Sequence, residues 1–128
     1  MNGISLIICT YNGREKITKT LNAIKQLDVL CKWELLVVDN ASTDGTASLV
    51  KDVLDDAVFD WQILKEDQPG LIHARLCGLH AAKYPILLYC DDDNSLDRNY
   101  LQIGYDLMKE NMNIGALGGC GVPVFESE

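Results

Sequence analysis

The sequence predicts an α/β fold of three layers, a mainly parallel sheet with helices on both faces. Two observations carry this. Apolar runs of strand length alternate with segments of helical periodicity along most of the chain, the pattern of stacked βα units. The apolar runs also end abruptly in polar clusters, as strands do when they emerge from a core at one edge of a sheet.

Taken in order, Ile4-Ser5-Leu6-Ile7-Ile8-Cys9 reads as a strand buried on both faces. Beyond the Asn12-Gly13 turn, Ile17, Leu21, Ile24 and Leu27 recur at spacings of four and three and predict one helical stripe. Trp33 to Val38 is a second buried strand, followed by a polar turn from Asp39 to Gly45 and a helix marked by Leu49, Val50, Val53 and Leu54. Phe59, Trp61 and Ile63 alternate with Asp60, Gln62 and Leu64, which predicts a half-exposed third strand near an edge. Pro69-Gly70 precedes a helix over Leu71 to Ala82, and Pro85 opens a fourth apolar run, Ile86 to Cys90. A last helix is expected on the stripe Leu96, Tyr100, Ile103, Leu107, and the segment from Gly118 to Phe125 reads as the opening of a further strand-led unit. No repeat or linker interrupts residues 1–128, which read as one domain cut before its partner part.

Composition narrows the function. The chain has 128 residues, 48% hydrophobic and 23% charged, a globular balance, with a formal net charge of −8 and no basic block. Nucleic acid is not an expected partner, because neutralising phosphates needs clustered Lys and Arg. Five scattered cysteines, without a CxxC pair, fit neither a disulfide framework nor a zinc site. With no leader-like segment and no apolar stretch of membrane-spanning length, a cytoplasmic, reduced protein is expected.

Three polar clusters fall where strands end: Thr10-Tyr11-Asn12, Asp39 to Gly45, and Asp91-Asp92-Asp93-Asn94. Adjacent parallel strands would bring them together. Three neighbouring carboxylates repel one another, and a hard divalent cation, Mg²⁺ or Mn²⁺, relieves that repulsion through oxygen ligands shared with substrate phosphates. The plainer reading is an acidic entry to the following helix, but capping needs one acid rather than three. Asp39 can accept a hydrogen bond from the imide N–H of a uracil or thymine, or simply serve the turn. Asp44 reads as a helix N-cap. Arg75, among apolar and small residues, suits a diphosphate or a base carbonyl, or a solvated helix face. His73 and His80 read as packing or surface residues.

Together these residues resemble the family-2 glycosyltransferases of the GT-A fold. The likeness runs through Ile7 to Gly13, Leu36 to Thr46, Gly70, Ala74-Arg75, Gly78, and Leu88 to Asp93. It implies that Thr10 and Tyr11 line the nucleotide pocket, that Asp39 contacts the base, and that Arg75 approaches the base or diphosphate. The aspartate run resembles the family's DxD motif, with Asp91 and Asp93 its two fixed acids; Asp92 would sit towards the ribose and Asp93 would bind the metal. The family often has Ala-Arg-Asn where this chain has Ala74-Arg75-Leu76. Its acceptor-side catalytic base lies further along than residue 128, so no residue here takes that role.

The implied activity is metal-dependent, inverting transfer of a sugar from a nucleotide-diphosphate sugar, a UDP-sugar first, to a glycan or lipid-linked acceptor. Peripheral association with the inner face of a membrane is expected of a full-length protein. One alternative is a non-catalytic nucleotide-sugar-binding domain. Another is a receiver-type signalling module phosphorylated at Asp39, which would need acids after the first strand where Thr10-Tyr11-Asn12 has none. A dinucleotide-binding unit would need G-x-G-x-x-G there, and only Gly13 is present.

Overall fold

In the computed structural model, which describes residues 2–123, four βα units share one sheet. The elements are β1 (Ile4–Thr10), α1 (Ile17–Lys25), β2 (Trp33–Asp39), α2 (Thr46–Leu54), β3 (Asp60–Lys65), α3 (Leu71–Ala81), β4 (Ile86–Asp91) and α4 (Tyr100–Glu110). The strand order is β3-β2-β1-β4 and every pairing is parallel. β1 and β2 occupy the centre, and their apolar residues are buried on both faces, as their unbroken hydrophobic runs require.

Side-chain alternation divides the core between the two faces of the sheet. Ile4, Leu6, Ile8, Leu35 and Val37 pack with Ile17, Leu21 and Ile24 of α1, with Val50 and Leu54 of α2, and with Leu101 and Tyr105 of α4. Ile7, Leu36 and Val38 point the other way, against Ala74 of α3. α3 lies close because Gly78 has no side chain: a Cβ there would stand 2.6 Å from Cγ2 of Ile7. Among the described residues β3 pairs only with β2, and its half-exposed residues match the edge position read from its alternation. Phe59 falls just outside β3 and packs its ring on Trp33, with centroids 4.5 Å apart.

At the amino-end edge of the sheet, Glu34 is buried yet fully engaged. Its Oε1 accepts from the Ser5 hydroxyl and from the Lys83 backbone N–H, both at 2.7 Å, and Lys83 Nζ lies 3.8 Å from Oε2. This ties the start of β2 to β1 and to the α3–β4 loop.

Two expectations change. The stripe Tyr100, Ile103, Leu107 does not face the main core: Ile103 and Leu107 are exposed, and the buried pair is Leu101 and Tyr105. The helix is oriented by its docking on the α1–β2 loop, where Gln102 Oε1 accepts from the N–H groups of Leu30 and Cys31 at 2.8 and 3.1 Å. Tyr100, Ile103 and Leu107 instead line an apolar cavity of about 700 Å³ between α4 and β4. The segment after Ile114 forms no strand through Pro123, while Val124 and Phe125 lie outside the described residues. A glycine-rich stretch loses much backbone entropy on ordering, and among the described residues no strand offers this one the ladder that would offset the loss.

Candidate donor-binding site

The parallel order gathers the three polar clusters at the carboxyl edge of the sheet. Thr10 is the register partner of Asp39, and Cys9 that of Asp91, so the tips of β2, β1 and β4 stand side by side. Asn40 N–H continues the ladder onto the Thr10 carbonyl at 2.8 Å.

The loops after β1 and β2 are stitched together. Asn12 adopts a left-handed φ of 48°, its N–H donates to Ser42 Oγ at 2.9 Å, and its Oδ1 accepts from Thr43 N–H at 2.7 Å. Ser42 and Thr43 are therefore loop-joining residues. Asp44 caps α2 from one position before the Gly45 N-cap, its Oδ1 accepting from the Thr46 N–H at 3.1 Å and from the Thr46 hydroxyl. The Thr46 hydroxyl is the main reason its carboxyl titrates below the usual range.

Asp39 is 4% exposed. Its Oδ1 accepts the Ser42 N–H at 3.2 Å, while Oδ2 has no hydrogen-bond partner among the described residues. The turn role and a free acceptor thus coexist on one carboxylate. Beside it, Asn40 is a hub that sequence reading missed. Its amide nitrogen donates to the carbonyls of Glu66 and Gln68 at 3.0 and 2.8 Å, and its Oδ1 accepts from Gly70 N–H at 3.0 Å. This fixes the β3–α3 loop beside Asp39. The only sequence signal was a polar residue at a strand tip, which any solvated turn also shows.

Tyr11, the residue directly after β1, is 59% exposed. Arg75 is exposed on α3, with its guanidinium 5.7 Å from the centre of the Tyr89 ring. Cys9 lies near it, and burial pushes the Cys9 thiol up to about 11 despite the opposing Arg75 charge.

The aspartate run splits. Asp91 and Asp93 are exposed, and neither side chain has a hydrogen bond or ion pair among the described residues. Asp92 turns inward: its Oδ2 accepts from the Thr10 hydroxyl at 2.8 Å and its Oδ1 lies 3.6 Å from Lys16 Nζ. Lys16, just before α1, and Thr20 of α1, whose hydroxyl donates to the Asp92 backbone carbonyl at 3.0 Å, were not singled out in the sequence. Among the described residues no three His, Cys, Asp or Glu side chains converge to hold a metal by themselves. Two free carboxylates suit Mg²⁺ or Mn²⁺ completed by water and diphosphate oxygens, rather than an all-protein cage.

The sequence profile of the family described as "Glycosyl transferase family 2" matches residues 5–126. The chain belongs to that family.

Within family 2, the chain is 39% identical over 103 residues to "Glycosyltransferase AglE" of Haloferax volcanii, a match covering 79% of this chain and 34% of that protein. The fold is similar to that of Staphylococcus aureus TarS 1-349, with a TM-score of 0.77 at 25% identity, covering 97% of this chain and 39% of that one. TarS has also been solved with UDP-GlcNAc. The mannosyltransferase PcManGT of Pyrobaculum calidifontis, solved with GDP-Man and Mn²⁺, superposes with a TM-score of 0.76 at 28% identity, covering 82% of this chain and 32% of that one. The chain thus spans about a third of the length of these proteins. It has the sheet order and helix alternation of a GT-A amino-terminal half, as the sequence predicts. No helix among the described residues is long and apolar enough to cross a membrane.

Proposed function

We propose that this chain is the donor-binding part of a glycosyltransferase that moves a sugar from a nucleotide-diphosphate sugar, a UDP-sugar first, to a glycan or lipid-linked acceptor with inversion. The observation that carries the reading is the meeting of Thr10, Asp39 and Asp91 at adjacent strand tips. The named ligands of TarS and PcManGT, UDP-GlcNAc and GDP-Man, support a donor of this class.

In this reading Asp39 receives the base imide through its free Oδ2, with Thr10 and Tyr11 lining the nucleotide pocket and Asp92 towards the ribose. Arg75 offers its guanidinium to the base or diphosphate. Asp91 and Asp93 would hold Mg²⁺ or Mn²⁺, which when bound neutralises charge developing on the departing diphosphate. The acceptor hydroxyl must lose its proton to a general base, and no described residue is assigned to that step. The 128-residue chain is therefore proposed to bind donor and transfer no sugar alone. In a longer protein, work at the cytoplasmic face of a membrane, as a peripheral protein, fits a lipid-linked acceptor.

The test is calorimetric titration of UDP and GDP with and without Mn²⁺. Metal and nucleotide should tighten each other by the same factor, because coupling free energy is reciprocal. Asp93→Asn should remove that coupling more than it lowers metal-free nucleotide affinity, with a smaller effect for Asp91→Asn. Equal nucleotide affinity with and without metal overturns the metal-dependent reading.

A further inference from the structure

Asp92 differs from both of its neighbours. It is 9% exposed, whereas Asp91 and Asp93 face solvent. Each polar atom beyond its own amide has a partner within the protein. Oδ2 takes the Thr10 hydroxyl at 2.8 Å, Oδ1 faces Lys16 Nζ at 3.6 Å, and the backbone carbonyl accepts from the Thr20 hydroxyl at 3.0 Å. Thr10 and Thr20 are themselves buried. Gly13 completes the enclosure: a Cβ there would collide with Thr10 Oγ1 and stand 2.8 Å from Asp92 Oδ2. The partners come from the end of β1, the loop after it, and α1, so three parts of the chain converge on one residue of the strand-tip turn. That turn closes with Asn94 N–H on the Asp91 carbonyl at 3.4 Å, a weak bond that would not hold it alone.

We propose that Asp92 is a positioning residue, the anchor through which Thr10, Lys16 and Thr20 fix the turn that presents Asp91 and Asp93. The inference rests on the donor-site reading above and replaces a direct ribose contact by Asp92 with an indirect role. Two physical consequences follow. Anchoring the turn removes its conformational freedom before any ligand arrives, so less ordering entropy is lost on binding. Pairing Asp92 with Lys16 also removes one of three adjacent negative charges from the mutual repulsion and leaves two free carboxylates, which match a divalent cation. The run DDD thus divides its labour: the middle acid holds, and the outer two receive.

The experiment uses the metal-free 128-residue chain and the pair Thr20→Val and Thr20→Ser, with Lys16→Met as an exposed-site variant that leaves the core intact. Amide hydrogen exchange is followed at Asn94, whose N–H bonds the Asp91 carbonyl. Thr20→Val, which keeps the shape and loses the hydroxyl, should speed exchange there about tenfold while β1 and α1 retain wild-type protection; Thr20→Ser should restore it. Lys16→Met should give a smaller acceleration at the same amide. Unchanged exchange at Asn94 in Thr20→Val and Lys16→Met overturns the proposal, and so does acceleration spread evenly over β1 and α1. A second arm titrates UDP with and without Mn²⁺: Thr20→Val should lose several-fold of the metal-dependent gain and keep its metal-free affinity, and an undiminished gain also counts against the anchor. A wild-type protein with no metal-dependent gain defeats the donor-site reading, and the exchange arm then decides the anchor by itself.

Discussion

The Tyr89 hydroxyl donates to the backbone carbonyl of Arg75 at 3.2 Å, while the Arg75 guanidinium lies 5.7 Å from the centre of the Tyr89 ring. One side chain on β4 therefore holds both the backbone and the charged end of a residue on α3. Neither contact follows from sequence spacing, since the residues are 14 apart and on different elements. An exposed cation–π contact contributes about 0.5–1 kcal/mol. Tyr89→Leu should accordingly weaken nucleotide binding two- to fivefold, and Tyr89→Phe less. In an Arg75→Ala background Tyr89→Leu should have no further effect; calorimetric double-mutant cycles read this directly.

Asp39 carries two roles on separate oxygens, and two substitutions separate them. Asp39→Asn keeps an acceptor for the Ser42 N–H and loses the charge, whereas Asp39→Ala loses both. A hydrogen bond to a charged group contributes about 1.5–3 kcal/mol, so each variant should bind UDP about tenfold more weakly or worse. Only Asp39→Ala should also lower the melting temperature. UDP affinity retained in Asp39→Asn would remove the base contact.

Asn40→Asp replaces a donor of two hydrogen bonds with a carboxylate facing the Glu66 and Gln68 carbonyls. Unsatisfied buried groups cost about 1–3 kcal/mol each, more where charge is involved. The variant should show a clear loss in urea denaturation and faster proteolysis of residues 66–70. A wild-type denaturation midpoint would mean that the loop holds its place without the hub.

Alkaline stability should depend on two buried thiols. Burial pushes Cys9 up to about 11 and Cys90 up to about 12, against 9.0 for a free thiol. The folded protein keeps these protons more tightly than the unfolded chain does. Their stabilising contribution is fully present below pH 9, and it declines as the pH rises towards 11 for Cys9 and 12 for Cys90. Between pH 9 and 10 the wild type should lose stability faster than Cys90→Ala, compared by denaturant titration at each pH. Parallel slopes would show that the Cys90 thiol contributes nothing to the decline.

The sequence by itself determined the layer architecture, because unbroken apolar runs and helical stripes can satisfy their burial only as strands and helices stacked in alternation. It also pointed to the strand ends as the candidate site, where Asp39 and the run Asp91 to Asp93 interrupt buried segments abruptly. It determined the family as well, since the motifs recur in order over nearly the whole chain. What it left open were contacts made at long range and choices between equally apolar faces. On α4, Tyr100, Ile103 and Leu107 carry the right spacing for a core stripe, yet docking of Gln102 on the α1–β2 loop turned Leu101 and Tyr105 inward instead. The motif set Asp92 apart from Asp91 and Asp93 by position alone. Its burial and its anchoring were decided by the tertiary structure, because Thr10, Lys16 and Thr20 lie 72 or more positions away in sequence and meet Asp92 only once β1 and β4 have paired.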